Sequence, residues 1–224
     1  MFPSVESACF EPVADPSKRI RDVDYFMEPI FILVQDTIFH IPKHYFTHIG
    51  IFSTVFSLPP NEDGPEGLTE ERPFILHQIS KRDFKAFLRV IMPIQIPHSY
   101  SNITVDEWTS TLNLSTMWEV TALRDLAIRH LNQLLNTVDM ILYGYKYRVS
   151  QWFITGCTNL IKRGRGLTDE EGERLGVRFA IQIYEIRERS LLFRLNQMPQ
   201  HDGKPAAQFE YQRAVQALSD KIFD

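Results

Sequence analysis

The sequence predicts an α+β protein, a small sheet flanked by helices and followed by an all-α extension. Three observations carry that expectation. β-prone runs are confined to the first third of the chain: Ile30-Phe31-Ile32-Leu33-Val34, Ile38-Phe39-His40-Ile41 and Pro73-Phe74-Ile75-Leu76-His77. From Ser80 onward, apolar residues recur at helical spacing. Capping-box signatures precede several of those stripes, at Ser80-Lys81-Arg82-Asp83, Thr104-Val105-Asp106-Glu107 and Thr168-Asp169-Glu170-Glu171. Strands first and helices afterwards is the order of an α+β chain. No internal repeat of solenoid or propeller length is present.

The 224 residues suit one compact domain or a domain with a helical extension. A chain of this length buries roughly 70% of its unfolded surface and needs neither disulfide nor metal to fold. Apolar residues make up 44% and charged residues 23%, ordinary globular usage. The formal charge of −4 argues against general attraction to nucleic acid or anionic lipid. Cys9 and Cys157 are too few for a set of zinc fingers, and Cys157 lies in a helical apolar pattern as a buried, inert thiol. The start of the chain lacks the basic and apolar regions of a signal peptide, and no apolar run reaches membrane-spanning length. The expected location is therefore intracellular, cytoplasmic or nuclear, which leaves the glycosylation sequons at Asn102 and Asn113 unused.

Taken in order, residues 1–21 carry Pro3, Pro12 and Pro16 and read as a flexible N-terminal arm. Asp24-Tyr25-Phe26-Met27 reads as a first short strand. The apolar run Ile30 to Val34 reads as a strand covered on both faces. The polar break Gln35-Asp36-Thr37 joins it to the next run as a hairpin. Pro42 ends that pattern, and Ile51, Phe52, Val55 and Phe56 form a helical stripe that stops at Leu58 before two prolines. Residues 59–72 are an acidic loop with Asn61, Gly64, Pro65 and Gly67, longer than most connections.

The helical region follows. Its stripes are Phe84, Phe87, Leu88 and Ile91; then Trp108, Leu112 and Ser115; then Leu123, Ala127 and Leu131. They continue as Val138, Ile141, Leu142 and Tyr145; as Trp152, Phe153, Cys157, Leu160 and Ile161; and as Phe179, Ala180, Ile183 and Ile186. Residues 197–205 are a polar linker. Tyr211, Val215, Leu218 and Ile222 then mark one more amphipathic helix. That helix is short enough to be marginal alone, so it packs back or binds something.

No motif for nucleophilic, zinc-dependent or nucleotide-dependent chemistry is present. His40, His44 and His48 are four apart, but Pro42 breaks a shared helix face, so they read as partly exposed residues at a strand–helix junction. Lys162-Arg163-Gly164-Arg165-Gly166 reads as a helix C-terminus with a left-handed glycine cap rather than a phosphate site. Asp169, Glu170, Glu171 and Glu173 are helix-start carboxylates with no acid/base partner at useful spacing. Trp108, Trp118 and Trp152 lie in helical stripes as core residues. No catalytic residue, cofactor site or metal site is expected.

With the motifs in order, the chain resembles BTB/POZ-domain proteins, in particular the large group of mushroom-forming fungi. The resemblance rests on Val34-Gln35-Asp36-Thr37-Ile38-Phe39-His40-Ile41-Pro42-Lys43, on Ile51-Phe52-Ser53-Thr54-Val55-Phe56-Ser57-Leu58-Pro59 and on Asp83-Phe84-Lys85-Ala86-Phe87-Leu88-Arg89-Val90. Its most specific block is Leu112-Asn113-Leu114-Ser115-Thr116-Met117-Trp118-Glu119-Val120 with Leu123-Arg124-Asp125-Leu126-Ala127-Ile128. Pro73-Phe74-Ile75-Leu76 lies between these blocks; Tyr145-Lys146-Tyr147-Arg148-Val149 before Trp152, Leu167-Thr168-Asp169-Glu170-Glu171-Gly172 with Leu175-Gly176, and Ile186-Arg187-Glu188 follow, so the likeness spans about residues 22–190.

The resemblance implies a BTB/POZ fold over residues 22–134, a BACK-like helical extension over 135–195, and a linker with a C-terminal amphipathic helix over 196–224. It implies a non-enzymatic protein–protein interaction module acting in homo- or hetero-association, with protein partners that include a homodimer or a cullin scaffold, and no cofactor, nucleic acid or membrane. Some family members bridge substrates to cullin-RING ubiquitin ligases, and others act in transcription complexes. Cullin-binding members carry a hydrophobic-x-Glu signature, which Leu68-Thr69-Glu70 fits. Leu58, Leu68, Glu70 and Glu71 are the partner-binding residues this implies. The sequence departs from the family in its proline-bearing arm, where many dimeric members have a long helix, and in Pro42-Lys43, where His-Arg or His-Lys is usual.

Overall fold

The computed structural model describes residues 20–57, 66–94, 100–196 and 211–223. Their fold is mixed α+β, a three-stranded sheet and a larger set of helices. The chain divides into two compact units, one formed by residues up to 48 with 52–77, the other by residues 49–51 and those from 78 onward. The expected boundary between residues 134 and 135 falls inside the second unit.

The first unit is built on the hairpin. Strands β1 (Pro29–Val34) and β2 (Thr37–Pro42) pair antiparallel around Gln35 and Asp36, with Gln35 in the left-handed region at φ 58°. After α1 (His44–Thr47) and α2 (Gly50–Ser57), β3 (Phe74–Leu76) pairs parallel to β1, giving the order β2-β1-β3. β1 is central, but its burial alternates: Ile30, Ile32 and Val34 are buried, whereas Phe31 and Leu33 are half-buried. One face of the apolar run is therefore buried and the other only partly covered, short of the full cover expected on both faces. Ile41, Phe46 and Phe52 are also buried in this unit, and the Phe52 ring lies 4.8 Å from Phe46 and 5.7 Å from Phe74.

Residues 24–27 are not a strand. The Asp22 carboxylate accepts hydrogen bonds from the amides of Asp24 (2.9 Å) and Tyr25 (2.8 Å), folding the segment into a turn. A local side-chain acceptor has captured the donors that a sheet ladder would need.

The second unit contains α3 (Lys81–Ile91), α4 (Val105–Met117), α5 (Thr121–Leu134), α6 (Thr137–Lys146), α7 (Ser150–Lys162), α8 (Asp169–Asn196) and α9 (Tyr211–Phe223). Consecutive pairs pack together: α3 on α4, α4 on α5, α6 on α7. The starts of α3, α4 and α8 have the expected caps. Ser80 accepts from the Asp83 amide (3.0 Å), while Thr104–Glu107 and Thr168–Glu171 each exchange a reciprocal pair. Asn136 caps α6 in the same way through the Asp139 amide (2.9 Å). Each such cap contributes about 1 kcal/mol by satisfying an amide that the helix leaves unpaired.

The stripes bury as their spacing predicts in α5, at Leu123, Ala127 and Leu131, and in α7, at Trp152, Phe153, Cys157, Leu160 and Ile161. In α3 the buried set is Phe84, Ala86, Phe87 and Val90, while Leu88 and Ile91 are half-buried, so the face is turned from the predicted one. All three tryptophans are buried. Trp118 meets Phe87 edge-on at 4.9 Å, Trp108 stacks on His130 at 4.3 Å, and Trp152 donates its Nε1–H to Asn132 Oδ1 (3.2 Å).

α8 is interrupted at Gly176, whose φ of 76° and ψ of 160° are far from helical. A side chain is strained there, and glycine is not. α9 packs back on α7 and α8: Val215 is fully buried, and Phe223 lies 5.6 Å from the Phe153 ring. Cys157 is 1% exposed, and burial pushes its thiol up to about 12, the inert state expected of it. Cys9 lies outside the described residues. Among the described residues, no helix is long and apolar enough to cross a membrane.

Candidate functional site

Three of the four residues expected to bind a partner sit on one turn of the first unit; Leu58 lies outside the described residues. The turn is anchored at Gly67. Its amide donates to Arg72 O (2.7 Å), and its carbonyl accepts from the Phe31 amide of β1 (2.8 Å). Gly67 has φ 81°, and a Cβ on it would stand 2.9 Å from Ile30 Cγ1. Backbone conformation and close approach both require glycine here. The Arg72 amide then closes on Thr69 O (3.3 Å), a bridge that brackets Glu70 and Glu71.

Leu68 stands out from this turn, 57% exposed, with Glu70 and Glu71 also exposed. The Glu71 carboxyl is held below the usual range by its own backbone amide first and by the Thr69 hydroxyl second. The turn thus favours the charged form of Glu71, three residues from the exposed Leu68. The described part of the acidic loop is thus a fixed turn bound to the central strand, an order that the run of polar residues did not signal.

The sheet adds a second surface. Residues directly opposite each other share a face. Phe31 faces His40, and their rings stack at 4.3 Å. Leu33 is flanked by Ile38 of β2 on one side and by Ile75 of β3 on the other. Ile38 is 39% and Ile75 47% exposed. An aliphatic row thus crosses all three strands on the face opposite the core. Among the described residues, no strand pairs with the outer edge of β2 or β3. Backbone donors and acceptors on such edges are templates for pairing with another chain.

The histidines do not converge on a metal. His40 lies in β2, stacked on Phe31, and His44 lies in α1, its ring 4.1 Å from Tyr45. Among the described residues no group of three His, Cys, Asp or Glu side chains could hold a metal ion.

The basic run at the end of α7 is arranged differently from its expected cap. Neither Gly164 nor Gly166 has a positive φ, and Arg163 is extended at φ −64° and ψ 147°. The Arg163 guanidinium holds the Glu171 carboxylate with two hydrogen bonds, the Nη1–Oε1 bond at 2.6 Å, and also donates to Gly166 O (2.8 Å). Arg165 approaches the same carboxylate at 3.6 Å, and Arg174 pairs with Asp139. These arginines line a cleft of about 420 Å³ with Asn136, Thr168 and Glu170. An arginine-to-carboxylate clamp has replaced the glycine cap. Carboxylates offset the arginines around the cleft, which argues against a phosphate site.

Compared with protein-family models, curated proteins and solved structures, the chain matches none.

Proposed function

We propose that the chain is a BTB-type, non-enzymatic interaction module that binds another protein through its sheet unit. The observation that carries this reading is the aliphatic row Ile38–Leu33–Ile75, whose two outer members are exposed, on a sheet whose outer strands pair with no further strand among the described residues. Covering apolar surface stabilises a complex by roughly 25 cal/mol per Å², before the costs of association. The ordered likeness over residues 22–190 to BTB/POZ proteins, and the strand–strand–helix–helix–strand order from β1 to β3, support the same reading.

The test replaces Ile38 and Ile75 by lysine and follows partner capture together with thermal unfolding. Both side chains already face water, so the expected result is lost capture with little change in melting temperature. Unchanged capture by folded Ile38→Lys/Ile75→Lys protein sinks the proposal.

A second reading, a substrate adaptor of a cullin-RING ubiquitin ligase, is favoured by the anchored turn that presents Leu68 and Glu70. It predicts cullin binding by the wild type and loss of it in Leu68→Ala and Glu70→Ala. No cullin binding by the wild type removes this reading and leaves the broader one standing.

A further inference from the structure

The part of α8 beyond Gly176 is apolar on two sides. One side carries Ile183, Ile186 and Ser190, which are buried within the second unit. The other carries Val177, Ile181, Tyr184, Leu191 and Leu192, all between 47% and 75% exposed. An amphipathic surface helix needs only one apolar face, and a second, exposed apolar stripe marks an interaction surface. Contacts with α6, α7 and α9 account for the buried face.

The uncovered stripe has a defined spacing. Val177, Ile181, Tyr184, Glu188 and Leu191 follow one another at intervals of 4, 3, 4 and 3 residues, the seam of a two-helix coiled coil. A partner helix with the same seam fits it, and this chain supplies one. The Leu167 amide donates to the Tyr184 hydroxyl (3.1 Å), which fixes that ring at the middle of the stripe.

We propose that a second copy of this chain covers the stripe, the two α8 helices packing antiparallel about Tyr184. Size supports this occupant. Five side chains of about 150–200 Å², roughly half exposed, offer on the order of 500 Å² per copy, or about 1,000 Å² in all, the lower bound for a specific interface. Charge sets the direction. A parallel pair would place the two copies of Glu188 against each other, and facing like charges are destabilising. An antiparallel pair places Glu188 level with Ala180 and beside Ile181, Val177 against Leu191, and Tyr184 against its own equivalent. The arrangement is isologous and closes as a two-fold dimer. It uses only residues of the second unit and does not depend on the sheet-face reading.

The test is sedimentation equilibrium on the full chain, with disulfide trapping in a Cys9→Ser background. The wild type is expected to dimerise, and Ile181→Glu to weaken the dimer at least tenfold while melting as the wild type does. Should Ile181→Glu not fold, Ile181→Ala is expected to weaken association in the same direction. Val177→Cys and Leu191→Cys together should link two copies on oxidation, while neither does so alone. Within one helix these positions are about 21 Å apart, too far for a disulfide. A wild type that stays monomeric to on the order of 100 µM, well above micromolar affinity, overturns the proposal. That is also the outcome if another protein or another segment of this chain covers the stripe. A dimer indifferent to both substitutions at Ile181, or linkage by a single cysteine variant, overturns it as well.

Discussion

A Cβ placed on Gly144 would stand 2.6 Å from the backbone nitrogen of Phe153, so α6 and α7 meet where a methyl group has no room. Gly156 repeats the arrangement from the other helix, where an added Cβ would stand 2.7 Å from Ile141 Cγ1 and 2.9 Å from Thr137 O. At Gly144 the obstructing atoms include backbone, which cannot swing aside. Gly144→Ala is expected to lose about 1–3 kcal/mol through forced separation of the two helices. Gly172→Ala, also in a helix but with nothing within 4 Å, is expected to gain about 0.4–1 kcal/mol. Urea unfolding of both variants checks the contrast, and equal effects would refute the close-packing argument.

Gly67 is restricted by conformation as well as by space. At φ 81°, with Ile30 Cγ1 2.9 Å from an added Cβ, Gly67→Ala is expected to cost about 1–3 kcal/mol and to loosen the turn that carries Leu68. Amide exchange should speed up at Phe31, whose amide donates to the carbonyl of residue 67, and at residue 67 itself, whose amide donates to Arg72 O. Unchanged protection at Phe31 would show that the turn is not anchored through this glycine.

The Glu171 carboxyl is lowered from 4.5 to about 2, first by the Arg163 hydrogen bonds and then by the Thr168 amide. The unfolded chain therefore binds more protons than the folded one between those two values. Stability from this group is complete above about pH 4.5 and is lost as pH falls toward 2. Glu171→Gln should cost about 1–3 kcal/mol at pH 7, allowing for partial exposure of the pair, and almost nothing at pH 2. A cost independent of pH would mean that the clamp acts by shape alone.

Cys157 should not react with thiol reagents while the chain is folded, being 1% exposed with its thiol raised to about 12. In a Cys9→Ser background, labelling is expected only at the rate of unfolding and in full once urea is added. Rapid labelling of the native protein would contradict the packed environment of α7.

What the sequence disclosed was local. Ser80, Thr104 and Thr168 were legible as helix starts because each bonds to an amide three residues away. Leu123, Ala127 and Leu131 were legible because burial follows helical spacing. What it concealed depends on distant partners or on competition. The parallel pairing of β3 with β1 joins segments about forty residues apart, which no turn signal reports. Asp24 to Met27 had strand composition, yet the Asp22 carboxylate took two of its amides. Arg163 looked like a residue before a glycine cap because its true partner, Glu171, lies beyond the loop. Of the candidate surface, Leu68-Thr69-Glu70 was visible as a signature. Its attachment to β1 through Gly67, and the row Ile38–Leu33–Ile75, depend on sheet register and were not.

α9 begins 49 residues after α7 ends, yet Val215 and Phe223 complete the cluster around Phe153. On the ribosome, at about 5–20 residues per second, α7 therefore waits roughly 3–12 seconds until α9 is complete at Phe223. During that interval the cluster around Phe153 lacks the cover that Val215 and Phe223 supply. The unit cannot finish folding as it is made, and premature termination anywhere in those 49 residues leaves a sticky, protease-sensitive product in place of a shortened working one.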